Sequence, residues 1–300
     1  MNIGLLDIDG HNYPNLALMK ISAYHKSIGD NVKWCMMGDY DKTYMSKVFT
    51  FTKERISPFA NYGEIIKGGV GYNLNKLPEY IDRMQPDYSI YPQFTSAYGF
   101  LTRGCSNKCS WCIVPKKEGK IKPYMTIEEI AGNRKEIVLM DNNVLASDFG
   151  LQQIEQAIRL GLKLDFNQGL DARLITEEVA VLLSKVKWKP YLRMACDSSS
   201  MKEPVKKAVF LLRKYNTKPH RFFIYVLLQN LQDSYERVNF CKELKCDVHS
   251  QPFRDFTPTQ IIPQWQNDMA KYTNHHAIYK SIDFKDYQPR KGFKCSQYFN

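Results

Sequence analysis

Short apolar runs alternate with segments of helical spacing along most of the chain, and that rhythm predicts an α/β protein. Residues 3–8 read as a strand, followed by a turn-rich loop, Asp9-Gly-His-Asn-Tyr-Pro-Asn15. Leu16, Met19, Ile21 and Tyr24 lie close to helical spacing, and Gly29 caps that segment. Residues 32–36, 47–52 and 87–91 are expected strands, and 77–84 a short helix. Ile65 and Ile66 lead into a sharp turn at Gly68-Gly-Val-Gly71. Residues 1–95 therefore read as an open α/β domain.

The pattern restarts near residue 96. Strands are expected at 98–102, 137–140, 162–166, 191–195, 222–228 and 247–253. Thr126-Ile-Glu-Glu129 has the form of a capping box opening a helix. Further helices are expected at 151–160, from Thr176 to about 186, at 203–215 and at 234–244. Strand–helix repeats of this kind imply a parallel sheet with right-handed crossovers. Their number suggests a partial barrel of six units, (β/α)6, spanning 96–257. Residues 258–300, with Trp265, Tyr272, His275 and His276, read as a helix and a tail.

Composition adds a core, a charge and a thiol set. Hydrophobic residues are 44% of the chain and charged residues 24%, enough apolar material for a sizeable interior. No apolar run approaches the roughly 20 residues that span a bilayer, and the amino terminus lacks the basic-then-apolar order of a secretory signal. A cytoplasmic protein is expected. The formal charge of +11 favours anionic partners or a solvated basic surface. Lys116, Lys117, Lys120 and Lys122 form the densest basic stretch, directly after a group of cysteines. Of the eight cysteines, three lie close together and Cys35, Cys196, Cys241, Cys246 and Cys295 are scattered. That distribution suggests one metal site plus ordinary core thiols.

Gly104-Cys105-Ser-Asn-Lys-Cys109-Ser-Trp-Cys112 has the spacing C-x-x-x-C-x-x-C. Three thiolates on one loop after a strand can hold three irons of a cubane, whereas iron–sulfur clusters usually take four cysteines. The fourth iron would stand open to an outside ligand. A zinc site is the alternative, with a fourth ligand such as His249 or Cys246.

The loop resembles the signature of the radical-SAM superfamily, C-x-x-x-C-x-aromatic-C, with Trp111 in the aromatic place. Arg103-Gly104 before it and Ile113-Val-Pro115 after it are similar to members that carry an amino-terminal cobalamin-binding-like domain. The resemblance implies a 4Fe-4S cluster on Cys105, Cys109 and Cys112, S-adenosylmethionine on the open iron, and a one-electron reductant such as flavodoxin or ferredoxin. It implies a 5'-deoxyadenosyl radical that abstracts hydrogen from a substrate, for which the lysines suggest an anion such as RNA. It places Trp111 near the adenine. A non-enzymatic, cluster- or zinc-stabilised nucleic-acid-binding module is the rival reading. Methylthio transfer is disfavoured, because residues 1–95 hold only Cys35 where that branch ligates a second cluster.

The family often has Gly-Gly-Glu after the second strand, binding the methionyl amino group. Here Met140-Asp141-Asn142-Asn143 stands there, so Asp141, Asn142 and Asn143 are candidates for that contact, with a plain turn as the alternative for Asn142 and Asn143. Gln168, Asp171 and Arg173 follow the third strand, where they would bind a ligand or cap the next helix. An arginine there could grip the cofactor carboxylate with two parallel bonds. Asp197 is a candidate for the ribose hydroxyls or a helix cap. Gln229 and Asn230 are weaker candidates of the same kind, and Arg254 and Asp255 can simply pair. Asp9-Gly10-His11 falls where cobalamin domains carry Asp-x-His-x-x-Gly, but Pro14 replaces the glycine, which weighs against cobalamin.

Overall fold

The computed structural model describes every residue except His11, Asn12, Arg55, His220 and Pro258. Two compact units result: Met1–Tyr98 with Phe256–Gln260, and Gly99–Asp255 with Ile261–Asn300.

In the first unit four parallel strands lie in the order Asn31–Trp34, Asn2–Asp7, Lys42–Ser46, Glu64–Gly68. Ile3 and Leu5 of the inner strand pack with Leu18 and Ile21 of the helix Leu16–Ser27, and with Ile81. The Asn15 side chain opens that helix by accepting from Leu18 N at 3.3 Å. Gly29, at φ +84°, follows its end.

Several expected elements differ here. The strand expected at 47–52 is replaced by Lys42–Ser46, one segment earlier. The Asp9 carboxylate instead captures the backbone N–H of Val48 at 2.5 Å and the Thr52 hydroxyl at 2.7 Å, folding that stretch into a loop. The strand expected at 87–91 is a single 3-10 turn at Tyr88–Ile90, because the Asp87 carboxylate accepts from Ser89 N at 2.9 Å and closes a local turn. The helix expected at 77–84 shrinks to Glu79–Asp82. His11, the residue on which histidine-held cobalamin would depend, lies outside the described residues.

In the second unit one sheet carries the parallel strands Lys187–Trp188, Lys163–Phe166 and Glu136–Leu139 in that order. Another runs Tyr191–Ala195, Arg221–Leu228, Asp247–Pro252, all parallel. A parallel bridge between Leu170 and Met194 links the two, with Leu170 N donating to Arg193 O at 2.7 Å. Leu192, Met194, Ile224, Val226 and Leu228 alternate along their strands and are buried. The opposite face is half-buried and carries Tyr191, Arg193, Phe223, Tyr225 and His249. Helices Asp148–Arg159, Glu177–Ser184, Lys202–Lys214 and Leu231–Glu243 fall between the strands in chain order. The capping box at Thr126 is present, with Glu129 reaching back to the Thr126 N–H at 2.7 Å.

The carboxy-terminal stretch belongs to this second unit. Helix Gln264–Asn274 packs on the last strand, and Ser250 N donates to Asn274 Oδ1 at 3.0 Å. Tyr272 and Tyr279 from this stretch are fully buried. Among the described residues no helix is long and apolar enough to cross a membrane.

Candidate functional site

The cysteine loop leaves the short strand Thr102–Arg103, which pairs antiparallel with Lys122–Pro123 and so closes the segment between them. Gly104 starts the loop at φ +86°, and a Cβ there would fall 2.3 Å from Lys120 O. No other residue fits both demands. Cys105 N donates to Gly119 O at 3.2 Å, and Cys112 N to Cys109 O at 3.0 Å, a turn that draws the last two cysteines together.

All three thiols are free and half-buried. Burial raises the Cys109 pKa first of all, and the neighbouring Cys112 adds to it while the Arg173 guanidinium opposes it. Burial also raises Cys112, with Cys105 and Glu118 contributing in the same direction. The three sulfurs therefore share one electrostatic neighbourhood with Arg173, Glu118 and Asp197.

Two carboxylates clasp this loop. Glu118 takes Arg103 Nη2 at 2.6 Å and Nε at 3.1 Å, the Gly104 N–H at 2.9 Å and Asn142 Nδ2 at 3.1 Å. Asp171 takes Arg173 Nη2 at 2.6 Å and Nε at 2.8 Å, Asn107 Nδ2 at 3.0 Å and Asn143 Nδ2 at 3.3 Å. Each clasp combines a two-pronged arginine, a group from the cysteine loop and one of two adjacent asparagines. Burial alone would raise the Asp171 carboxyl, but Arg173 and Asn107 outweigh it and hold its pKa below the usual range.

Asp141 is buried and committed to the backbone: it accepts from Leu101 N at 3.1 Å, Thr102 N at 2.6 Å and Thr102 Oγ1 at 2.7 Å. It thus holds the strand that delivers the cysteine loop. Asn142 reaches Glu118, as above. Asn143 is 2% exposed; its Nδ2 is tied to Asp171, and its Oδ1 has no hydrogen-bond partner among the described residues. Arg173 is 46% exposed at the guanidinium end of its clasp, and Gln168 lies exposed on the preceding loop. Asp197 accepts from Leu227 N at 2.9 Å, and burial raises its pKa. Trp111 is half-buried beside Cys112. Lys116, Lys120 and Lys122 are exposed, and Lys117 is half-buried.

Sequence reasoning missed three participants: Glu118, Asn107 and Arg237. Glu118 was visible as the lone acid within the lysine stretch, and Asn107 sits inside the motif itself. Arg237 had no signal: it is fully buried and donates to Cys196 O at 2.7 Å and Leu227 O at 3.0 Å. His249 stacks on Phe223 at 5.9 Å, and the Cys246 thiol is 3.6 Å from Leu244 O. Cys35, Cys196, Cys241, Cys246 and Cys295 are buried thiols.

Three soft thiol donors on one pinned loop fit a cubane in donor chemistry. The buried, unpartnered Asn143 Oδ1 fits a ligand that brings a hydrogen-bond donor, such as an ammonium group. Among the described residues no group of three or more His, Cys, Asp or Glu side chains is gathered to hold a metal ion. Ligands to the separate irons of a cubane stand farther apart than the ligands of a single ion.

No protein-family model matches this chain, and no curated protein is significantly similar to it.

Proposed function

We propose that the protein is a radical-SAM enzyme in which Cys105, Cys109 and Cys112 hold three irons of a 4Fe-4S cluster and leave the fourth to S-adenosylmethionine. The observation that carries this reading is the cysteine loop: three free thiols spaced C-x-x-x-C-x-x-C, started by an obligatory Gly104 and clasped by Glu118 and Asp171. Held there, such a cluster would supply the one electron that splits the sulfonium's sulfur–carbon bond into methionine and a 5'-deoxyadenosyl radical.

The chain's own residues have separate tasks. Asn143 offers its unpartnered Oδ1 to the cofactor's amino group, and Arg173 presents a guanidinium for the carboxylate. Trp111 offers a ring beside the last cysteine for the adenine, with Asp197, Gln168 and Asn142 as lesser candidates around it. Asp141 acts through the backbone of Leu101 and Thr102 and needs no contact with the cofactor.

The parallel strands of the second unit follow one another laterally in chain order across the Leu170–Met194 bridge, which supports a partial (β/α)6 barrel. The half-buried face with Tyr191, Arg193, Phe223, Tyr225 and His249 becomes its interior, and the substrate meets the radical there. The four parallel strands of the first unit support a Rossmann-like, cobalamin-binding-like domain; Pro14 continues to weigh against cobalamin itself. The exposed lysines after the loop suit an anionic substrate such as RNA, and an acidic flavodoxin or ferredoxin suits the role of reductant. A cytoplasmic setting, where thiols stay reduced, goes with this chemistry.

Anaerobic reconstitution tests the reading. The loaded protein should bind about four irons per chain, change its electron paramagnetic resonance spectrum on addition of S-adenosylmethionine, and release 5'-deoxyadenosine once reduced. Cys109→Ala should abolish all three. A cluster blind to S-adenosylmethionine, or stoichiometric zinc in protein purified from cells, refutes it.

A further inference from the structure

The Asp171 clasp does more than any single candidate contact, because it joins three loops at one carboxylate. Asn107 lies between Cys105 and Cys109, Asn143 follows the strand Glu136–Leu139, and Arg173 follows the strand Lys163–Phe166. All three donate to Asp171, whose side chain is 8% exposed. Bonds to an ionised, largely buried acceptor are among the stronger ones available, and they fix direction as well as distance.

We propose that Asp171 is the positioning residue of the site: it sets the shape of the cysteine loop through Asn107 and holds the Arg173 cation on the same carboxylate, next to that loop. The proposal rests on the reading of the cysteines as cluster ligands. Asp171 touches neither the thiols nor any reacting atom, so it acts through Asn107, Asn143 and Arg173. Glu118 makes the companion clasp through Gly104 and Asn142, but its arginine, Arg103, leans over Phe100 at 4.1 Å. Of the two arginines Arg173 is the more exposed. Asp171 therefore ties the middle of the cysteine loop to the more exposed of the two cations, whereas Glu118 ties the start of the loop to the more covered one.

Two readouts separate this from a plain structural role. In the full-length, cluster-free protein, hydrogen exchange of residues 104–113 should accelerate about tenfold in Asp171→Asn, with exchange elsewhere unchanged. Asn107→Ala, which removes one bond and no charge, should reproduce part of that effect and guards against a misfolded Asp171 variant. In the reconstituted protein, Asp171→Asn leaves Arg173 uncompensated and should shift the cluster midpoint potential upward. Arg173→Gln should shift it downward, and the double variant should return it toward the wild-type value. Unchanged loop exchange in both Asp171→Asn and Asn107→Ala overturns the proposal, as does a potential that moves the same way in both charge variants. If the wild-type chain assembles no cluster, the enzyme reading fails, and the exchange arm still decides whether Asp171 shapes the loop.

Discussion

Burial raises the Asp141 carboxyl to about 6, even though Thr102 and Leu101 donate to it. A carboxyl whose folded pKa lies above its unfolded value binds its proton more tightly in the folded state. Folding is therefore favoured as pH falls through that interval, and the contribution disappears as pH rises past the folded value. For Asp141 the window runs from about 4 to about 6, and the upper bound is on the order of 3 kcal/mol. Asp165 behaves alike: burial raises it to about 6 against the pull of Arg193, with which it is paired. His249 has the opposite tendency, since burial lowers its pKa. A comparison of wild type with Asp141→Asn isolates the single carboxyl. Urea unfolding at pH 4.5, 5.5 and 7 should show wild type gaining stability relative to the variant toward acid, and a difference independent of pH would refute the burial argument. The sequence marked Asp141 as a residue after a strand, but whether it points at a ligand or at its own backbone depends on where Leu101 and Thr102 run. That is a contact forty residues away, invisible to local pattern.

At the scale of elements, the second unit was legible almost throughout because its strands are apolar and several of its helices start on the capping residues Thr126, Ser147, Thr176 and Asn230. Tyr191–Ala195 lies where the apolar run put it, and Arg221–Leu228 and Glu136–Leu139 start one residue early. In the first unit local carboxylates override propensity: Asp9 and Asp87 each divert an expected strand by capturing backbone N–H groups. Phe49 and Phe51, apolar residues that made 47–52 look like a strand, stack on each other at 5.3 Å and stay exposed. The most consequential element-level contact lies on the helix Leu231–Glu243. Arg237 is fully buried and ties that helix to the ends of two strands through Cys196 O and Leu227 O, with Asp233 as its ion partner at 2.7 Å. Removing it strands two carbonyls and leaves a cavity. Arg237→Ala should therefore cost about 3 to 5 kcal/mol in urea unfolding. Arg237→Lys should recover only part, because one ammonium cannot span the acceptors of a planar guanidinium. A loss under about 1 kcal/mol for the alanine variant contradicts the account.

At the scale of the whole molecule, the two units carry different acid responses. In the first, burial would raise Asp87, but Lys26, Ser22 and Ser89 outweigh it and hold it at about 2. A carboxyl lowered in this way stabilises the fold above its unfolded value, and that support is lost as pH falls from about 4 toward 2. In the second unit Asp141 and Asp165 act earlier and with the opposite sign, between about 6 and about 4. Each unit has its own buried centre: Ile3, Leu5, Leu18 and Ile21 in one, Leu192, Met194, Ile224 and Val226 in the other. Local opening can therefore be read out separately for each. Hydrogen exchange corrected for intrinsic rates should show residues 1–98 losing protection between pH 4 and pH 2.5 while residues 136–252 hold theirs longer. Asp87→Asn should flatten the acid dependence of 1–98 and leave that of 136–252 unchanged. If protection in both units falls together in wild type and variant alike, opening is global, and the separate cores do not unfold as separate units.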